Sequence, residues 1–286
     1  MKIIKSNQLA LLFTSFMSRE KLGISIAALA YFHLDPPETV AKPMDRLLEE
    51  AKMWPAVAAA LGDEEALDLG IPKKHGEFLV YGSAYAKPPR SAILVRIMVG
   101  EQSKILYVSG PRSWNITGIS SRPALFSAMR ISWTNAFGGA DWEANPLGKG
   151  MAPGPDGRIS IPTIQDPTNL VTSPDDRPGP AGLTAYPSFW PQRRRYLGKF
   201  DETWLENRWP HYPLDTNPEY FNTAPKDQRL NGFFQGAEAI RIVNMHPSQR
   251  EIISPLPDIR ARLFINRLLE GKEVFAEVES NAETLW

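Results

Sequence analysis

Carboxylates are the chain's main candidates for chemistry. Asp141, Glu143, Asp156, Asp166, Asp175, Asp176, Asp201, Asp215 and Asp227 all fall between Phe137 and Gln235, interleaved with aromatic residues. Two carboxyl groups facing each other across an aromatic groove would make the acid and base of a glycosidase. The competing reading is stronger: Asp beside Gly, Pro or Asn accepts backbone N–H bonds and closes turns. His33, His75, His211 and His246 are never three or four residues apart, so no helical zinc pair is present. There is no G-x-S-x-G elbow, no phosphate-binding glycine loop, and no cysteine to act as nucleophile or thiolate ligand. Arg193-Arg194-Arg195 is the single basic run, and it reads as a solvated edge before it reads as a phosphate or acidic-partner site. No catalytic residue, metal or cofactor is expected.

The bulk composition points the same way. The chain has 286 residues, 43% hydrophobic and 22% charged, with Lys+Arg and Asp+Glu equal at 32 each. That balance gives no reason to expect nucleic acid or an anionic membrane as partner. Lys2, Lys5 and the apolar run Leu9 to Phe13 faintly resemble a secretion signal. The run is too short and lacks a small-residue cleavage site, and no apolar stretch approaches the roughly 18 residues of a membrane helix. A cytoplasmic protein is expected.

These residues need elements to position them. Period-2 apolar alternation predicts strands over 3–14 and 22–33, joined at Ser18-Arg19-Glu20-Lys21. Met44, Leu47, Leu48 and Ala51 have helical spacing, and Pro55 with Gly62 marks a second short turn, so one helical segment is expected at about 42–62. Further strands are predicted at 78–81, 93–99, 104–108, 130–134, 239–243, 262–265 and 273–278, with turns at 100–103 and 268–272. Many short strands without βαβ alternation indicate a mainly β fold, an antiparallel β-sandwich or open barrel. One domain is expected over 1–286. Residues 137–235 form a loop-rich insertion folded over the sheets, whose prolines disfavour regular elements and whose rings exclude a disordered linker. Trp190, Trp204 and Trp209 read as anchors pinning long loops before they read as a carbohydrate or peptide platform.

Ordered motifs carry a family resemblance. Asn135-Ala136-Phe137-Gly138-Gly139-Ala140-Asp141, then Asn145-Pro146-Leu147-Gly148-Lys149-Gly150, resemble the signature of a domain-of-unknown-function family encoded in type VI secretion gene clusters. Further pieces follow in the family's order: Pro162 to Asp166, Pro174 to Gly182, Trp190 with Arg193, Gly198 to Trp204 with Asp201, Arg208-Trp209-Pro210, Pro213-Leu214-Asp215, Tyr220-Phe221-Asn222-Thr223-Ala224-Pro225, and Asp227-Gln228. Upstream, Glu77 to Ala86 resembles a family strand, so the likeness runs from about residue 1 to about residue 257. It implies a non-catalytic adaptor or chaperone that binds a toxic protein effector in the cytoplasm and loads it onto a spike-tip protein. Relatives continue past the pattern that is here Ala282 to Trp286, which implies either a missing final strand pair or a shortened chain.

The motif residues are candidates for partner contact, but a scaffold role is expected for most of them. Gly138 and Gly139 are expected in conformations open only to glycine, and Asn222 and Asp227 are expected to bond local backbone. Two rival functions remain: a carbohydrate-binding or carbohydrate-cleaving module on the aromatic loops, and a structural component of the spike.

Overall fold

Val95, Ile97 and Val99 are buried while Leu94 and Arg96 face out, the strict alternation that fixes strand register against a core. The Ala92–Val99 strand pairs with Gln102–Ser109, Val99 opposite Gln102 and Ala92 opposite Ser109, so only Gly100 and Glu101 make the turn. Gly100 supplies the positive φ, +59°, that so short a connection requires. A computed structural model describes residues 10–18, 21–38, 42–43, 73–257, 261–269, 272–280 and 284–285.

This hairpin is the centre of a five-stranded antiparallel sheet, ordered Ile164–Gln165, Gln102–Ser109, Ala92–Val99, Ala239–Val243, Glu251–Pro255. Against its inner face lies a second antiparallel pair, Gly82–Arg90 with Phe126–Ile131. Ala84, Ala86, Phe126 and Ile131 from that pair share one core with Val95, Ile97, Val99, Leu106, Val108 and Ile240 from the sheet. The described residues are therefore mainly β and antiparallel, and their strands close no barrel. Separate antiparallel hairpins are formed by Ala10–Ser18 with Lys21–Tyr31 and by Ala261–Leu269 with Lys272–Ser280.

Several expected elements shift. The strand read at 78–81 shrinks to Glu77–Phe78, paired in parallel with Thr284–Leu285, because Val80 bonds the carbonyl of Leu183 instead of a neighbouring strand. The strand read at 130–134 is Phe126–Ile131; Trp133–Asn135 is a 3-10 turn that points Trp133 into a buried cluster. Gly82–Arg90 is a strand despite Pro88-Pro89, and its pairing with Phe126–Ile131 is irregular between Tyr85 and Arg90, where proline has no N–H to give. The helix expected at 42–62 lies outside the described residues except Lys42–Pro43, which is extended and pairs with Ala30 and Tyr31. The start of the first predicted strand, residues 3–9, lies outside them as well.

The turn-rich stretch contributes to this architecture rather than merely lying on it. Its Ile164–Gln165 segment extends the sheet, and Ala181 and Leu183 enter the central core. Short bridges join Phe137–Gly138 to Lys149–Gly150 and Ile159–Ser160 to Ser113–Trp114, and two short helices occupy Pro191–Arg194 and Glu202–Asn207.

Candidate functional site

The motif residues build three interlocked nodes. At the first, Glu77 is fully buried, and its carboxylate accepts from Asn222 Nδ2 at 3.1 Å, Thr223 N at 3.2 Å, Thr223 Oγ1 at 3.1 Å and Ala224 N at 3.1 Å, with Lys73 as ion partner. Burial alone would raise the Glu77 carboxyl, but Lys73 and the converging donors outweigh it and hold the group below its ordinary range. Asn222 also donates to the His75 carbonyl at 2.8 Å and accepts from Lys74 N. Gln228 donates to the carbonyls of Phe78 and Leu183 at 2.8 and 3.0 Å. One short strand is thus clamped by side chains about 150 residues away in sequence. The expectation that Asn222 bonds local backbone is corrected: its side chain reaches across the fold. Asp227 is corrected likewise, since it forms an ion pair with Lys104.

At the second node, Asn145 is fully buried and its Nδ2 donates to the carbonyls of Trp133 and Phe137 at 2.8 and 3.0 Å. Phe137 is buried beside Trp142, Trp114, Ile161 and Val171. A Cβ on Gly138 would run into the Asn145 carbonyl oxygen, and one on Gly148 would lie 2.5 Å from Asn145 Nδ2. Gly139 differs from the expectation: it has no positive φ, and its constraint is the neighbouring Met151 side chain. Pro146 is half-buried here, while Asp141 is exposed.

At the third node, Trp190 is fully buried against Trp133 and Tyr186, with ring centroids 5.2 and 5.7 Å away. Arg193 overturns the reading of its basic run as a solvated edge. It is buried, donates through Nε to the Tyr220 carbonyl at 2.9 Å and through Nη1 to the Tyr186 carbonyl at 3.0 Å, and lies 4.5 Å over the Tyr220 ring. Only Arg194 and Arg195 are exposed. No composition signal separates the three arginines; Arg193 is the one whose guanidinium reaches the Tyr186 and Tyr220 carbonyls. Phe221 and Pro225 are buried beside this cluster.

Between the first and third nodes opens a cleft of about 450 Å³, lined in part by Lys104, Asp166, Tyr186, Glu219, Asp227 and Arg229. Its carboxylates are all engaged. Asp166 accepts from Thr168 N and Oγ1 in a turn, Glu219 pairs with Arg229 at 2.8 Å, and Asp227 pairs with Lys104. The Asp166 carboxyl is held below its ordinary range because the Thr168 donors outweigh partial burial. Tyr186 on the wall is pushed up to about 12, chiefly by burial and further by the negative charge of Asp227. Among the described residues no group of three His, Asp or Glu side chains is placed to hold a metal ion, and no helix is long and apolar enough to cross a membrane.

The remaining motif residues form an arm over residues 198–215. Its neck is tied by Thr216 Oγ1 to the Leu197 carbonyl at 2.7 Å, Asn217 N to the Tyr196 carbonyl at 2.8 Å, and Lys199 N to Asp215 Oδ1 at 3.1 Å. Asp201 caps the Glu202–Asn207 helix by accepting from Trp204 N at 3.0 Å, Trp204 Nε1 donates to the His211 carbonyl at 2.7 Å, and Arg208 donates to the Tyr212 carbonyl. Pro213 is the arm's single buried residue; Phe200, Leu205, Trp209, Pro210 and Leu214 are exposed. Trp190, Trp204 and Trp209 therefore separate into buried, half-buried and exposed.

No curated protein and no solved structure matches the chain significantly. A family model described as an uncharacterized protein conserved in bacteria, DUF2169, matches residues 19–286. Because that match spans nearly the whole chain, nodes and arm included, the protein belongs to the bacterial DUF2169 family.

Proposed function

We propose that this protein is an adaptor that holds a type VI secretion effector in the cytoplasm and promotes its loading onto a spike-tip protein. The observation that carries the reading is the arm at 198–215. A folded, side-chain-tied excursion leaves Phe200, Leu205, Trp209 and Leu214 largely in water, with Trp209 65% exposed. Exposed apolar side chains gathered on one short, tied segment have the character of protein-contact residues, and rings held by a stiff backbone lose little entropy on docking. The motif resemblance supplies the biological setting. The nodes supply rigidity, since Glu77, Asn222, Gln228, Asn145 and Arg193 tie distant segments together through hydrogen bonds to backbone amides and carbonyls.

The test is co-purification of the tagged protein with the product of an adjacent toxin gene, joined to deletion of this gene. Toxin capture in the first and loss of toxin secretion in the second are expected. No capture of any neighbour-encoded toxin, or unchanged secretion after deletion, overturns the reading.

A further inference from the structure

The face of the five-stranded sheet turned away from the core carries a second cleft, of about 820 Å³, that shares no residue with the nodes or the arm. Its floor is apolar: Leu94 and Val243 lie on the outward register of their strands, with Leu94 51% exposed. Around that floor stand Lys87, Arg90, Arg96 and Arg250, all exposed. Among the described residues none of these four side chains makes a hydrogen bond or an ion pair. The fifth cation, Arg241, is paired with Glu251, the only carboxylate among the described residues lining the cleft. Asp35 sits nearby, bonded to Gln249.

The excess of positive charge here is local, since the chain as a whole carries zero net charge. Lys104, Arg229 and Lys73, by contrast, are each matched, by Asp227, Glu219 and Glu77. Here Lys87, Arg90, Arg96 and Arg250 converge unmatched on an apolar strip, and a concave surface with so large an excess of one sign of charge focuses its field outward. Asn244 holds the wall in place, donating to the Leu94 carbonyl at 2.8 Å and accepting from Tyr85 N at 2.8 Å through its own carbonyl. The cleft is therefore preformed.

We infer that this cleft binds an extended acidic segment of a polypeptide partner. An extended strand alternates its side chains, so apolar residues meet the Leu94–Val243 floor while intervening carboxylates meet the rim arginines. Guanidinium groups suit carboxylates through paired N–H donors. A nucleic acid fits less well, because Leu94 and Val243 on the floor offer no stacking platform and, among the described lining residues, Tyr85 and His246 are too few aromatic rings to make a track. The inference rests on the adaptor reading for the identity of the partner but not for the chemistry of the groove.

The experiment measures fluorescence anisotropy of a fluorescein-labelled peptide of alternating glutamate and valine on the wild type, on R96E/R250E and on the charge-matched control R122E/R194E. Thermal melts confirm that each variant folds. Affinity is expected to fall about tenfold or more in R96E/R250E, to hold in the control, and to weaken as salt is added. A lysine–valine peptide should not bind. Equal binding by both variants, or no binding to the wild type, overturns the assignment, as does a single-stranded oligonucleotide that binds more tightly than the peptide and is lost in R96E/R250E. Pull-down of the neighbour-encoded toxin separates the two proposals. Capture by wild type and R96E/R250E alike removes the cleft and leaves the adaptor reading; capture by neither removes the adaptor reading and leaves the cleft to the peptide measurement.

Discussion

Glu77 Oε2 and Asn222 Nδ2 lie 3.1 Å apart, buried, across 145 residues of chain. This bond, with the neighbouring amides of Thr223 and Ala224, makes one carboxylate the fastening between a sheet-edge strand and the Tyr220–Pro225 motif. Glu77→Gln removes the charge that Lys73 and four hydrogen-bond donors are arranged around. It is expected to cost about 3–5 kcal/mol, the range for breaking a buried pair from one side. Urea denaturation checks it, and a loss below about 1 kcal/mol would show that the node is not the clamp described.

The same carboxylate predicts an acid transition. Its folded pKa is depressed, so the unfolded chain binds the proton more readily in acid. The stabilisation is then fully present above the ordinary value of 4.5 and drains away as pH falls below it. Stability measured from pH 7 downward should fall steeply below about pH 4.5 in the wild type and less steeply in Glu77→Gln.

Asn145 is a sharper test of geometry. Its Nδ2 serves two main-chain carbonyls, so Asn145→Asp keeps the shape, removes both donors and sets a carboxylate against two acceptors. Loss of about 3 kcal/mol or more is expected, exceeding Asn145→Ala, because the latter leaves the carbonyls unmet without adding repulsion. Equal stability of the two variants in denaturant titrations would contradict the donor assignment.

Gly138→Ala should be as damaging, by steric conflict with the Asn145 carbonyl and by its φ of +159°. Gly118→Ala is the matched comparison: φ there is +76° with open space around it, so its cost is backbone strain alone, about 1–2 kcal/mol. Melting temperatures that rank Gly118→Ala as the worse variant would refute the packing account.

What was legible in the sequence follows from what each signal measures. Alternation found the Ala92–Val99 and Gln102–Ser109 hairpin within one or two residues, because a strand buried on one face writes its register into residue type. Family likeness places a strand over Glu77 to Ala86, whereas the strand runs Gly82–Arg90, since Pro88-Pro89 masks the period that Ala84 and Ala86 begin. Glu251–Pro255 was missed: Ser254 is the buried residue and Ile253 the exposed one, so polarity runs opposite to burial. The turn reading of the aspartates held locally for Asp166 and Asp201, where the acceptor and donor are neighbours. It failed at Asp227, and the local-backbone reading failed at Asn222, because long-range pairing leaves no short-range trace. Arg193 was hidden for the same reason, its burial being decided by the carbonyls of Tyr186 and Tyr220 rather than by Arg194 and Arg195 beside it.

The arm yields the prediction that separates scaffold from contact. Trp204 and Trp209 are both motif tryptophans, yet Trp204 donates its indole N–H to the His211 carbonyl and packs on Phe200 with centroids 4.7 Å apart, while Trp209 projects into solvent. Trp204→Ala should loosen the arm and lower stability, whereas Trp209→Ser, at an exposed site, should change stability by no more than about 0.5 kcal/mol. For partner capture the order reverses in meaning. A solvent-facing Trp on the same arm as exposed Leu205 and Leu214 has the character of an interface anchor, and truncating such an anchor costs about 2 kcal/mol or more of binding, roughly thirtyfold in affinity. Trp209→Ser is therefore expected to melt with the wild type and to lose the co-purifying toxin. If instead it melts normally and retains the toxin at wild-type yield and dissociation rate, the exposed rings are not the docking surface, and the partner must be held elsewhere on the molecule.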